Sequence, residues 1–174
     1  MAENNPDTTN PDKELQVISS ALDDQRRLIA AGKVQRWDVV KWGVTVNVAL
    51  ATATALIQFK GAFSVCGIAV SNNFIPSLLA ALVAIMSFVL VLYYNYGTTV
   101  ARKDALHLVQ QMKDNHNIDY SAIVGKDLAA HYSKGFWYDW PELLLFAVIL
   151  IVSATLPLVP AIFPKATNLI ANGR

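Results

Sequence analysis

The stretch Trp37–Phe59, WDVVKWGVTVNVALATATALIQF, decides the fold. It is long and apolar enough to cross a bilayer, because about 21 helical residues rise about 31 Å against a hydrocarbon core of roughly 30 Å. Small and polar residues recur in it at steps of three or four, which places them on one helix face: Gly43, Asn47, Ala51, Thr54 and Gln58. The sequence therefore predicts a membrane span, from about 39 to 59, with a face made for contacts other than lipid.

This stripe has two interpretations. Small residues let two helix backbones approach closely, and Asn, Thr and Gln hydrogen-bond across the contact for roughly 0.5–2 kcal/mol each. Alternatively, several copies assemble and the uncharged polar groups line a pore. We favour packing, because the next span carries a facing seam of small residues: Ser77, Ala81, Ala84 and Ser87.

Two further apolar stretches predict a second span from about 74 to 96 and a third over 141–164. The short connection 60–73 makes the first two spans antiparallel neighbours; it is either a small hairpin or a segment dipping into the interface. Pro157 and Pro160 should loosen the last third of the third span. Aromatic residues near the predicted span ends are expected to anchor them at the membrane interface: Trp37, Trp42, Tyr93, Tyr94, Tyr96, Trp137, Tyr138 and Trp140.

The segments outside the spans are polar at both ends and amphipathic between. Residues 1–11 are predicted to be a disordered tail, and 165–174 a short polar tail. Residues 12–36 predict an amphipathic helix that Gly32 should end, and 98–140 a helical segment that continues the second span through Gly97. Both have apolar stripes that need burial against each other or a partner chain: Leu15, Ile18, Leu22 and Ile29 in the first, and Ala101, Ala105, Leu108 and Met112 in the second.

Composition and motifs exclude several function classes. Hydrophobic residues make up 54% of the chain and charged residues 16%, and the formal net charge of +1 gives no basic face for nucleic acid. Asp104 and His107 lie one helical turn apart but lack a third metal ligand at helical spacing. The sequence contains no GxSxG, HExxH, GxxxxGK[ST] or GxGxxG motif. We therefore expect no enzyme activity and no catalytic, cofactor-binding or metal site.

Basic residues predict the orientation. Lys and Arg number six in residues 1–41 and five in 95–141, against one in 60–73 and two in 165–174. Three spans put the first two regions on the same side, and the positive-inside rule assigns that side to the cytoplasm. The chain is therefore expected to be a multi-pass protein of the cell (inner) membrane, with a cytoplasmic N-terminus and an external C-terminus.

The sequence thus predicts an all-α integral membrane protein with three transmembrane helices and cytoplasmic amphipathic helices. Its order of cytoplasmic helix, close span pair and cytoplasmic helix resembles the small bacterial pore-forming effectors of the SLATT type, from which the third span departs. The resemblance implies a self-associating protein that perturbs or conducts across the membrane under control of its cytoplasmic helices. The alternative is a structural or accessory subunit that anchors itself by its spans. The expected partners are the lipid bilayer, further copies of the chain and a cytoplasmic protein.

The predicted orientation can be tested with Cys66, the single cysteine of the chain. A membrane-impermeant maleimide should label it in intact cells or spheroplasts, because the 60–73 connection is expected outside the cytoplasm. Labelling after denaturation supplies the control for a thiol that is buried rather than enclosed by the membrane. Protection of the thiol until the cells are lysed without denaturant would contradict the orientation.

Overall fold

The structure, a computed structural model, describes residues 11–57, 62–65, 68–71, 74–119, 130 and 132–158. Within them the chain is mainly helical. Its elements are α1 (Pro11–Ile57), strands β1 (Ala62–Val65) and β2 (Ile68–Ser71), α2 (Phe74–His116) and α3 (Trp140–Thr155), with short 3-10 turns at Phe136–Asp139 and Leu156–Leu158. The strands form an antiparallel hairpin in which Ala62 pairs with Ser71 and Val65 with Ile68, which is one of the two conformations expected for this connection.

Two helical stretches among the described residues are long and apolar enough to cross a membrane: Ile75–His116 and Phe136–Leu158. The first covers the predicted second span from residue 75 onward, and the second covers residues 141–158 of the predicted third span. The α-helix of the third becomes a 3-10 turn at Leu156–Leu158, where Pro157 removes a backbone donor and loosens the helix as predicted.

The chain divides into two compact units, and α1 and α2 each contribute to both. The first unit comprises Met1–Val34 and Tyr94–Tyr138, and the second Gln35–Tyr93 and Asp139–Arg174. The two predicted amphipathic faces pack together in the core of the first unit. That core consists of Ile18, Leu22, Ile29, Ala101, Ala105, Met112 and Tyr132.

The helices of the first unit run antiparallel. Glu14 lies near His116, and eighteen residues further along α1 Gly32 lies against Thr98, eighteen residues back along α2. Arg26 Nε also donates a hydrogen bond to Tyr132 Oη over 3.1 Å, which ties α1 to the segment beyond α2.

The second unit has its own apolar core. Each of its helices contributes side chains at steps of three or four, which bury one stripe of the helix and leave the remaining faces exposed. The buried apolar residues of this unit include Val40, Ala80, Ala84, Val91, Leu143, Phe146 and Leu150.

The predicted helix end at Gly32 is wrong, because α1 continues through it to Ile57. The absence of a side chain serves close packing instead. A Cβ at this position would clash with Thr98 Oγ1 and lie 3.7 Å from the Tyr94 carbonyl oxygen. The close approach of α2 therefore offsets the cost of about 0.5–1 kcal/mol for a glycine inside a helix.

The predicted continuation of α2 through Gly97 is confirmed, and a turn follows it. The helix ends at His116, and Asn117 adopts the left-handed conformation with a φ of 54°. The Asn117 and Ile118 amides donate to the Lys113 and Met112 carbonyls over 3.0 and 3.2 Å, which satisfies two of the last carbonyls of the helix.

Several predicted features lie outside the described residues. They are the N-terminal tail up to residue 10, Gln58, Cys66, most of the second half of the 98–140 segment, the end of the third span with Pro160, and the tail 165–174.

The packing at Gly32 predicts opposite effects for two glycine substitutions in the first unit. Gly32→Ala should lower the thermal stability of the protein in detergent micelles, because the added methyl clashes with Thr98 Oγ1. Gly97→Ala is the matched control. No atom lies within 4 Å of a Cβ at that position, so the change should stabilise the helix by about 0.5–1 kcal/mol.

Thr98→Ala should relieve the effect of Gly32→Ala, because it removes the clashing hydroxyl. Equal destabilisation by Gly32→Ala in both backgrounds would contradict this account of the close approach.

Candidate functional site

Helices α1 and α3 run parallel and in register within the second unit. Arg36 contacts Asp139 and Glu142 at the start of α3. Further along both helices, a Cβ at Gly43 would lie 3.0 Å from Leu150, and Asn47 bonds to Ser153. The contacts therefore advance in the same direction on the two helices with a nearly constant offset in residue number.

The first of these contacts is a buried cluster of charged side chains, which we name the arginine cluster: Arg36, Asp139 and Glu142. Arg36 has no exposed surface; its Nη1 donates to Asp139 Oδ2 over 3.2 Å, and its Nη2 lies 3.1 Å from Glu142 Oε2. The Asp139 side chain is 7% exposed and that of Glu142 29%. Desolvation of such charges offsets most of their attraction. The cluster therefore contributes more to the alignment of α1 with α3 along their axes than to net stability.

The burial of Arg36 is not what its place in the sequence indicates. A cation that precedes an apolar stretch usually extends into a polar environment, and Lys41 is 71% exposed. Arg36 is instead buried, because Asp139 and Glu142, more than 100 residues away in sequence, lie together at the start of α3. The signal that would have indicated this pairing is an arginine just before the predicted first span and two acids at the start of the predicted third.

The second contact is a set of small and polar residues that we name the polar seam: Gly43, Asn47, Ser87 and Ser153. Asn47 is fully buried, and its Nδ2 donates to Ser153 Oγ over 2.9 Å. Ser153 Oγ in turn donates to the Leu150 carbonyl over 2.9 Å, so it can only accept from Asn47. A hydrogen bond of this kind between helices contributes about 0.6–2 kcal/mol in an apolar environment.

Gly43 brings α2 into the same seam. A Cβ at this position would lie 2.5 Å from Ser87 Oγ and 3.1 Å from Ser87 Cβ. The backbones of α1 and α2 therefore approach too closely here for any residue other than glycine at position 43. Ser87 is fully buried. All three helices of the second unit therefore meet at Gly43 and Asn47, whereas the sequence indicated a seam between the first two spans only.

The stripe predicted on the first span lies mainly on the buried side of α1. Gly43, Asn47 and Thr54 are buried, and Ala51 is half-buried. The Thr54 hydroxyl donates to the Leu50 carbonyl over 2.7 Å, which satisfies it within its own helix. On α2, Ala84 and Ser87 are buried, whereas Ser77 and Ala81 are half-buried. Ala80, which is not part of the predicted seam, is fully buried.

The residues predicted to anchor the spans at the interface lie mostly at the surface. Trp37, Trp42, Tyr93, Tyr96, Trp137, Tyr138 and Trp140 are exposed, and Tyr94 is half-buried. Trp37 also packs edge-on against Phe146, with ring centroids 4.8 Å apart. In the first unit, the Lys134 ammonium lies 3.9 Å and the Arg102 guanidinium 5.6 Å from the centre of the Tyr138 ring, both within the range of cation–π attraction.

The described residues include no group of three or more His, Cys, Asp or Glu side chains able to hold a metal ion. His107 is exposed, and His116 Nε2 lies 3.8 Å from Glu14 Oε2, where protonated histidine would form an ion pair. The described part of the second unit has an apolar core that encloses a few buried polar groups, and many of its exposed side chains are apolar.

Comparison of the chain with protein-family models, with curated proteins and with solved structures finds no match.

The arginine cluster predicts a large effect of one substitution. Arg36→Met should lower the free energy of unfolding by about 3–5 kcal/mol, because it removes the cation that contacts the buried Asp139 and the partly exposed Glu142. Lys41→Met is the matched control, since Lys41 and Asp38 form an exposed pair over 3.5 Å that contributes no more than about 1 kcal/mol. Chemical unfolding in detergent micelles measures both. Similar stabilities for the two variants would contradict the role assigned to Arg36.

Proposed function

We propose that this protein is an integral membrane protein with three spans. The second unit contains these spans and lies in the bilayer. The burial of the candidate spans supports this assignment. Only 28% of the residues in the most apolar window of each candidate span are buried, whereas the core helix of a soluble protein would be mostly buried. Large aliphatic side chains are exposed along both helices; among them are Leu82, Ile85, Met86, Val89, Leu145, Val148, Ile151 and Val152. Lipid is the solvent that such a surface requires.

The parallel packing of α1 on α3 supports the first span. A helix that follows a membrane-spanning neighbour in register crosses the same thickness of hydrocarbon. The exposed side of α1 is also compatible with lipid, because its Thr45 and Thr52 hydroxyls donate to the Lys41 and Val48 carbonyls over 2.8 and 2.9 Å. Such bonds within one helix satisfy polar groups where water is absent.

The distribution of basic residues supports a cytoplasmic N-terminus in the cell (inner) membrane. With this orientation the first unit, which carries the amphipathic faces of α1 and α2, belongs to the cytoplasm. Val17 and Leu28 are 68% and 57% exposed on α1 within that unit, and apolar side chains at such positions suit contact with another protein.

The proposed role is that of a membrane anchor, a structural or accessory subunit whose cytoplasmic helices recruit a partner. One observation carries this choice. Asn47, the most polar described residue of the predicted stripe, is fully buried and bonds to Ser153 of the same chain. A side chain already used to pack the helices of one chain is not available to line a pore.

A membrane-perturbing or pore-type effector is the second candidate. The exposed side of α1 favours it, because small and hydroxyl-bearing residues replace the large aliphatic side chains found on the other helices: Thr45, Ala49, Thr52 and Ala53. Copies that associate through this side would bring weakly polar surfaces together. A pore formed in this way would use Thr45 and Thr52 rather than Asn47.

Reconstitution into dye-loaded liposomes tests the choice between the two roles. The anchor role predicts that the wild-type protein retains the dye. It also predicts that Asn47→Leu lowers thermal stability without a change in leakage, because Asn47 holds α1 to α3. Thr52→Val is the matched control and should alter neither property, since its side chain is exposed and similar in volume.

Dye leakage by the wild-type protein would contradict the anchor role. If Asn47→Leu suppressed that leakage and the variant remained stably folded, the result would favour a pore lined by the predicted stripe. Suppression by Thr52→Val would instead favour a pore formed on the exposed side of α1.

A further inference from the structure

The polar seam contains two buried polar atoms for which the described part of the chain offers no hydrogen-bond partner: Asn47 Oδ1 and Ser87 Oγ. Both residues are fully buried. Asn47 Nδ2 is committed to Ser153, which leaves the amide oxygen of Asn47 directed elsewhere. A buried acceptor and a buried hydroxyl without partners each carry a substantial desolvation cost, so native proteins pair such groups with ordered water.

The two atoms, one on α2 and one on α1, face the same part of α1. Ser87 Oγ lies 2.5 Å from the place where a Cβ of Gly43 would be, and Asn47 is one helical turn beyond Gly43 on α1. Side chains one turn apart on a helix begin about 5–6 Å from each other. One water molecule joins two polar atoms up to about 5.5 Å apart through two hydrogen bonds of ordinary length.

We propose that the second unit holds a structural water molecule in its polar seam, bonded to Asn47 Oδ1 and Ser87 Oγ. The water donates a hydrogen bond to the amide oxygen, and with the Ser87 hydroxyl it either donates or accepts one. It extends the pairing of Asn47 with α3 to α2, so that one asparagine connects all three helices. The absence of a side chain at Gly43 leaves the hydroxyl of Ser87 directed into the seam. This site rests on packing within the second unit and does not depend on whether the protein acts as an anchor or as a pore.

A crystal structure of the full-length protein from a lipidic mesophase, at a resolution that shows ordered water, tests the proposal. We expect density for a water within about 3.2 Å of both Asn47 Oδ1 and Ser87 Oγ. The same crystals of Ser87→Ala should lack this water and keep the bond from Asn47 to Ser153. A direct hydrogen bond between Asn47 and Ser87, or a seam without density in the wild-type protein, would overturn the proposal.

Thermal unfolding in detergent micelles gives an independent result that needs no crystals. If the water bridges the two helices, Ser87→Ala removes one of its partners and should lower Tm. A hydroxyl that is buried and dry would give the opposite sign, because replacing an unsatisfied polar group by a methyl is neutral or stabilising. An unchanged or raised Tm would therefore contradict the water site.

Discussion

The contact of Arg36 with two carboxylates at the start of α3 is the interaction on which the second unit depends. Arg36 has no exposed surface, so its charge must be matched by partners at a fixed place. Asp139 and Glu142 at the start of α3 supply them, and this pairing sets which residues of the two helices lie side by side. With that register, Trp37 meets Phe146 and Asn47 meets Ser153. An apolar helix pair could slide along its axis, whereas one buried cation and one buried amide allow a single alignment.

Local sequence periodicity predicted which residues of a helix share a face. Gly43, Asn47 and Thr54 recur at helical spacing, and the same spacing predicted their common face; the stripes of the first unit were recognisable in the same way. The unpredicted part depends on α3, which is apolar all round and carries no stripe that marks its buried side. Ser153 interrupts an otherwise apolar sequence, and nothing local to it indicates a bond to Asn47 on α1. Asp139 and Glu142 stand among aromatic residues, where the sequence indicates an interface and does not indicate a partner on α1.

Gly32 and Gly97 also differ in a way that local sequence does not show. From propensity alone, Gly32 is expected to end a helix and Gly97 to destabilise one. Gly97 lies in α2 with no atom near a Cβ position, and Gly32 lies inside α1 because Thr98 occupies the space of its missing side chain. Only the packing partner distinguishes a glycine that ends a helix from one that admits a neighbour, and that partner is distant in sequence.

The account as a whole requires that α1 beyond Arg36 and α3 lie at the same depth in a bilayer. Nitroxide labels at Thr45 and at Val152, in a Cys66→Ser background and in lipid nanodiscs, measure this directly by electron paramagnetic resonance. Both positions are exposed and share the register of the pair formed by Gly43 and Leu150. The account predicts that oxygen reaches both labels, that a water-soluble nickel chelate reaches neither, and that their immersion depths agree. A Thr45 label open to the nickel chelate beside a shielded Val152 label would contradict the three-span bundle.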